Sequence, residues 1–198
     1  SMMWRLLEVN QQPFHSLNIQ YRMRAKIKHF PSNRYYHGRL QDHDSIKNRS
    51  THLPSHIMHP DGVKLWLNLD GQEERSGLSF INRSEALAIV SLIKAIRAHD
   101  TKSHIGVISF YSAQIRLIGH ILKDENKKNS KISPDNIAVH TVDGFQGDEK
   151  DIMIVSFVRA NQQHHIGFLN DFRRLNVAIT RAKDVLYIFG NAATFNKA

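Results

Sequence analysis

Four runs of β-branched and aromatic residues lie in the second half of this 198-residue chain and leave it few possible folds: Ile105–Phe110, Ile137–Val139, Ile152–Val158 and Val185–Phe189. Each is apolar at nearly every position, which suits a sheet covered on both faces rather than one with a wet side. The segments between them follow another period. After Asn82-Arg83-Ser84-Glu85, spaced as a capping box, Ala86, Ile89, Val90, Ile93 and Ile96 recur at threes and fours and predict a helix with one apolar face. Ala113 to Leu122 repeats the pattern with Ile115, Ile118 and Leu122. Asp171 starts a third helix carrying Leu175, Ala178, Ile179 and Ala182. Strands alternating with such helices make βαβ units, hence one α/β domain with a mainly parallel sheet flanked by helices. Val63–Leu69 adds one more strand.

Three stretches depart from the pattern. Gln41 to Gly62, with His52, His56 and His59 among Ser, Thr, Asn and Pro, reads as a surface insertion. Asp124 to Asn136, with Lys127-Lys128-Asn129-Ser130-Lys131, reads as a basic loop. Phe30-Pro31-Ser32-Asn33 is expected to break a helix after Tyr21. The histidines have i, i+4, i+7 spacing, but Pro54 and Pro60 argue against a regular helix and no metal site is expected. Trp4 and Trp66 read as core anchors.

Composition narrows the function classes. No cysteine means no disulfide scaffold, thiolate metal site or thiol nucleophile. No apolar run approaches the roughly 18 residues of a membrane span, and no signal peptide opens the chain. An intracellular protein, in nucleus or cytoplasm and with no membrane partner, is expected. Ser1-Met2 reads as an expression scar before a domain of residues 3–198 cut from a longer protein. The 27 Lys and Arg outnumber the 18 Asp and Glu, for a net charge of +9. Residues 1–50 hold nine basic and three acidic side chains, so +6 of that charge sits in the first quarter. A clustered positive field attracts polyanions such as nucleic acids and nucleotides.

The chemistry-bearing candidates are expected in loops at the carboxyl ends of the strands. Thr141 to Asp151 (TVDGFQGDEKD) joins two apolar strands with two glycines and four acidic residues. Its Thr141 offers a hydroxyl, and Glu149 a carboxylate for a sugar hydroxyl or an ordered water. Asn170 to Lys183 (NDFRRLNVAITRAK) carries Arg173, Arg174 and Arg181 near helix ends. There an Arg either complements the helix dipole or grips a phosphate. Gln20-Tyr21-Arg22-Met23 places an Arg beside an aromatic ring.

Taken in order, QYRM with FPSN, ISFYSAQ, TVDGFQGDEKD and IGFLNDFRRLNVAITRAK resemble the C-terminal half of superfamily-one helicases, nearest the up-frameshift and senataxin branch. The resemblance runs from about Leu6 to Asn191. It implies the second of two RecA-like domains, a three-layer fold with ATP bound in the cleft between them. By motif position, Arg22 and Arg181 match two arginines that reach the γ-phosphate, and Tyr21 an aromatic near the base. Gly147 and Glu149 match the segment coupling nucleotide to nucleic acid, with Glu149 near the ribose. Ser109, Tyr111, Thr141 and Val142, with Gln114 beside them, match positions touching the backbone of single-stranded RNA or DNA. The chain departs from the family in Arg24-Ala25 for His-Pro, Phe172 for Pro, and Ser109-Phe110 for Thr-Pro.

No G-x-x-x-x-G-K-[ST] phosphate loop and no upstream acidic Mg²⁺ motif occurs in the chain. The resemblance assigns both to a first RecA-like domain, which would supply the Mg²⁺ ligands for ATP. The chain alone is then expected to hydrolyse nothing. The competing reading is a RecA-like module that binds nucleic acid or protein without catalysis.

Overall fold

The computed structural model describes residues 17–49, 51, 53–54, 57–58, 63–128, 136–145 and 147–196. Trp4, His52, His56 and His59 lie outside them. Nine strands occur among the described residues: β1 (Ile19–Gln20), β2 (Gln41–Asp42), β3 (Lys64–Asn68), β4 (Glu74–Ser76), β5 (Ser79–Ile81), β6 (Ile105–Ser109), β7 (Ile137–Thr141), β8 (Lys150–Ser156) and β9 (Ala182–Gly190). The helices are α1 (Ala25–Tyr35), α2 (Asp44–Lys47), α3 (Arg83–His99), α4 (Ser112–Lys128), α5 (Phe172–Ile179) and α6 (Ala192–Phe195).

Five strands form one sheet in the order β3-β9-β8-β6-β7, every pair parallel. Along β8, Ile152 and Ile154 face one layer while Met153 and Val155 face the other. One face is covered by α3 and α4, through Ala86, Ile89, Val90, Ile93, Ile96, Ile118 and Leu122. The other packs Met23, Ile27, Phe145, Ala178 and Ile179. That is the α/β domain with a doubly covered parallel sheet that the unbroken apolar runs predict, and the three-layer RecA-like fold that the resemblance implies. Central strands with two dry faces cannot alternate apolar with polar.

Several local expectations need correction. The FPSN segment does not stop its helix. Pro31 sits inside α1 and is buried, where core contact offsets the main-chain hydrogen bond a proline cannot donate. The helix ends at Tyr35, followed by the left-handed His37 and Gly38. Asp124 to Lys128 belong to α4 rather than to a loop, and their ion pairs bind α4 internally and to α3 (Lys94 Nζ–Glu125 Oε2, 2.5 Å). The segment read as a surface insertion buries Ile46, Leu53 and Met58. Its Gln41–Asp42 pairs in parallel with Ile19–Gln20. Trp66 stays 41% exposed on edge strand β3, its ring against Phe157 and Phe195 rather than deep in the core.

The capping box is half formed. Asn82 caps α3 by accepting the Glu85 N–H, at 3.1 Å. Glu85 does not reach back to the Asn82 N–H, which donates to Gln114 Oε1 at 2.9 Å. The fully buried Glu85 carboxylate instead accepts from Ser156 Oγ (2.6 Å) and the Val158 N–H (3.0 and 3.1 Å). Val158 has φ +69°, a left-handed conformation costly for a β-branched residue. These bonds hold it there.

Candidate functional site

The parallel sheet has two ends, and the loops divide the chemistry between them. Ser109, Thr141 and Ser156 lie in register at the carboxyl end. Lys150 and Ala182 pair at the amino end. The TVDGFQGDEKD segment leaves β7 at Thr141 and enters β8 at Lys150, so it must cross from the carboxyl end back to the amino end. Helix α5 makes the same crossing between the groups at its start and β9. The expectation of one ligand crevice at the carboxyl ends therefore needs correction, because Arg22, Glu149 and Arg181 gather at the amino end.

At that end a cleft of about 660 Å³ is lined by Gln20, Tyr21, Arg22, Tyr36, Glu149, Asn176, Thr180 and Arg181, among others. The Gln20 side-chain oxygen accepts the Arg22 and Met23 N–H groups (3.0 and 2.8 Å), fixing the QYRM turn. Arg22 pairs with Glu149 through Nε and donates through Nη1 to the Thr180 carbonyl at 3.1 Å. Lys183 reaches the other Glu149 oxygen at 3.1 Å. Burial alone would raise Glu149, but Arg22 and Lys183 outweigh it and hold the carboxyl below its usual range. Arg181 donates through Nη1 to the Asp148 carbonyl at 3.3 Å, while its buried Nε has no partner. Burial, followed by repulsion from Arg22, draws the Arg181 guanidinium below its usual value. Tyr21 is 59% exposed, its ring 4.3 Å from that of His43. Exposed Gly147 has φ +89°, a conformation that favours glycine, in the crossing loop. Two converging guanidiniums, an under-bonded donor and an open aromatic face suit an anion with a flat apolar part.

The carboxyl end is less accommodating than the motifs imply. Ser109, Tyr111, Gln114 and Val142 are all buried, so their side chains are not offered to a passing strand. Ser109 Oγ donates to the Ser156 carbonyl at 3.0 Å, and Gln114 Nε2 donates to Ser156 Oγ at 3.1 Å and the Asn82 carbonyl at 3.0 Å. Arg159 Nη1 donates to Tyr111 Oη at 3.4 Å, and the Val142 N–H donates to Ser109 O at 3.1 Å. Close-packed strand ends leave main-chain groups to be paired, and here the Ser109 and Gln114 side chains satisfy the Ser156 and Asn82 carbonyls. Thr141 alone of the five is partly exposed. It lines a groove of about 500 Å³ with Leu78, Phe110, Arg116, Asp143, Phe168 and Arg174.

Some participants gave no sequence signal of their own. Lys183 follows Arg181 by two residues but lay at the edge of its motif. Arg49 sits in the polar stretch, yet its Nη1 donates to the Arg22 carbonyl at 2.8 Å and its Nε lies 3.5 Å from Asp184. That bridge ties the QYRM turn to β9, two strand positions beyond Ala182. Arg49→Ala is therefore expected to cost about 1–2 kcal/mol of stability, a fall of about 4 °C in Tm for a chain this long, with Arg49→Lys recovering part of it. A Tm unchanged in Arg49→Ala would dismiss the bridge as incidental.

The parallel sheet with a helical layer on each face places this chain among the RecA-like α/β domains, with two arginines meeting at the sheet's amino end. The comparisons identify the family. Residues 1–193 match the family described as an AAA domain. The chain is 41% identical over 196 residues to regulator of nonsense transcripts 1 of Caenorhabditis elegans, covering 97% of this chain and 18% of that protein. It is 40% identical over 199 residues to the ATP-dependent helicase NAM7 of Saccharomyces cerevisiae, covering 96% of this chain and 20% of that protein. Helicase sen1 of Schizosaccharomyces pombe is 38% identical over 183 residues, 90% of this chain and 11% of that protein. The chain belongs to this AAA-domain family, in the up-frameshift and senataxin-like branch of the superfamily-one helicases. It spans a fifth or less of the length of these relatives.

Proposed function

We propose that this chain is the second motor domain of an ATP-dependent RNA or DNA helicase, completing an ATP site built with a first RecA-like domain of the same protein. Arg22 and Arg181 act as the fingers that neutralise the γ-phosphate as it departs. Tyr21 packs beside the base, and Gly147 with Glu149 transmits the nucleotide state to the strand groove. The first domain holds the phosphate loop and the Mg²⁺ ligands, so the chain alone is inactive. The single-stranded partner lies over the carboxyl end, with Thr141, Arg116 and Arg174 nearest its phosphates. We place the protein in the nucleus or cytoplasm, where such strands are handled; no described helix is long and apolar enough to cross a membrane.

The observation that carries this reading is the meeting of Arg22 and Arg181 at one cleft, from segments about 160 residues apart in sequence. Arg22 is held there by Glu149, an internal anion whose place a phosphate can take. ATP joining both domains acts as a clamp, because hydrolysis removes the charge the arginines grip. The segment between β7 and β8 and the α5 connection each join the two ends of the sheet, giving a path from nucleotide to strand.

The test is ATP turnover by the full-length protein with and without single-stranded RNA or DNA. Turnover stimulated by a strand is the expected result. A protein that binds strands tightly yet hydrolyses no ATP in their presence would instead be the non-catalytic module.

A further inference from the structure

The wall of the strand groove contains a feature that stability does not explain. Strands β4 and β5 form an antiparallel hairpin with a two-residue tip, Gly77-Leu78. Gly77 takes φ +61°, as such tips require of one residue. The other tip position usually carries a small polar residue, yet here it is Leu78, 98% exposed. The hairpin beneath is firmly seated. Phe80 lies under the Arg159 guanidinium, 4.5 Å from the ring centroid, and edge-on to Tyr111 at 5.8 Å. Ile81 is buried, and Ser79 Oγ accepts the Ala113 N–H at 3.3 Å. Arg159 is in turn clasped by Glu73 at 2.8 and 2.9 Å. A rigid base thus holds a bare leucine out over the groove.

A second exposed apolar side chain lines the same groove: Phe168, 55% exposed, on the 3-10 turn Gly167–Asn170. Cations accompany the pair. Arg174 lies 5.7 Å from the Phe168 ring and 5.8 Å from that of Phe110, with one Nη on Asp143 at 2.6 Å. Exposed Arg116 lines the groove from α4. Apolar faces between arginines match unstacked bases on a phosphate backbone, since every base has an apolar face and stacking on it tolerates any sequence.

We infer that Leu78 and Phe168 form a base-gripping pair, with the β4–β5 hairpin acting as a wedge against the bases of a single strand in the groove. This deepens the proposed reading of the groove as the strand's path and rests on it. Leu78 supplies an apolar contact of the kind that separates stacked bases. Phe168 supplies a ring for one of them, while Arg116 and Arg174 hold the flanking phosphates.

Binding of the 198-residue chain to two labelled probes by fluorescence anisotropy tests it: an oligouridylate of about 12 nucleotides, and a chain of equal length whose residues lack bases. The parent is expected to prefer the oligouridylate. Leu78→Ser should weaken that binding about tenfold and leave the abasic chain within about twofold, as should Phe168→Ser. Leu87→Ser, on α3 and likewise an exposed leucine but outside the groove, should change neither. Leu78→Ser equal to the parent on oligouridylate, or weakened equally on both probes, overturns the wedge and leaves the track reading standing. A parent that binds neither probe overturns both.

Discussion

Arg181→Ala is expected to lower strand-stimulated ATP turnover of the full-length protein by about a thousandfold, the lower end of what an arginine finger contributes. Its stability should scarcely change. Arg181 makes one contact to a main-chain carbonyl, Asp148 at 3.3 Å, and its Nε has no partner to lose. The same under-bonding argues that the guanidinium is kept for a ligand. Arg181→Lys retains charge without the planar fork and should recover only a small part of the rate. Arg22→Ala should be as damaging to turnover but also destabilising, because it leaves Glu149 to Lys183 alone and removes the donor to the Thr180 carbonyl. Steady-state rates at saturating ATP and strand, with melting curves of each variant, separate these effects. Turnover of Arg181→Ala within about tenfold of the parent would remove it from the reacting phosphate.

The largest stability effect is expected at Glu85. In Glu85→Ala the Ser156 hydroxyl and Val158 N–H lose their buried acceptor, at about 1–3 kcal/mol each, and a cavity adds to that. A total of about 3–5 kcal/mol near pH 5 corresponds to a fall of about 10 °C in Tm for a chain this long. Burial pushes the Glu85 carboxyl up from 4.5 to about 7, against the bonds from Ser156 and Val158 that favour its ionised form. The folded protein therefore keeps a proton that the unfolded chain releases above pH 4.5. This contribution to stability is complete below pH 4.5, falls as pH rises to about 7 and is then gone. It amounts to about 3 kcal/mol for that difference in pKa. The gap in Tm between parent and Glu85→Ala should narrow over this range, and Glu85→Gln should lack the slope. A gap that widens with pH would show Glu85 ionised throughout.

These two residues mark how far the sequence could be read. Arg181 stood out because TRA closes a segment whose residue types and order carry the family's chemistry, and its position beside β9 followed from the strand pattern. Glu85 was visible only as a capping residue. Its spacing from Asn82 is local, but its partners Ser156 and Val158 are more than 70 residues away. Arg49 and Leu78 were silent for a related reason. A polar stretch and a hairpin tip have no period, so nothing in the chain shows what they face. Ser109, Tyr111, Gln114 and Val142 illustrate the opposite case. The resemblance assigns them to a strand's path, yet packing at the carboxyl end of the sheet turns their side chains inward.

The sequence by itself determined the layers. Unbroken β-branched runs require two dry faces, and helices with one apolar stripe are what can cover them. It also determined the residue types at the candidate site, since a guanidinium offers a planar fork of donors suited to an oxyanion. The tertiary structure decided where those residues meet. Parallel pairing sends each connection back across the sheet, and this gathers Arg22, Glu149 and Arg181 at the amino end and opens the Leu78–Phe168 groove at the other. Strand order and register come from contacts between distant segments, which the spacing along one chain does not record.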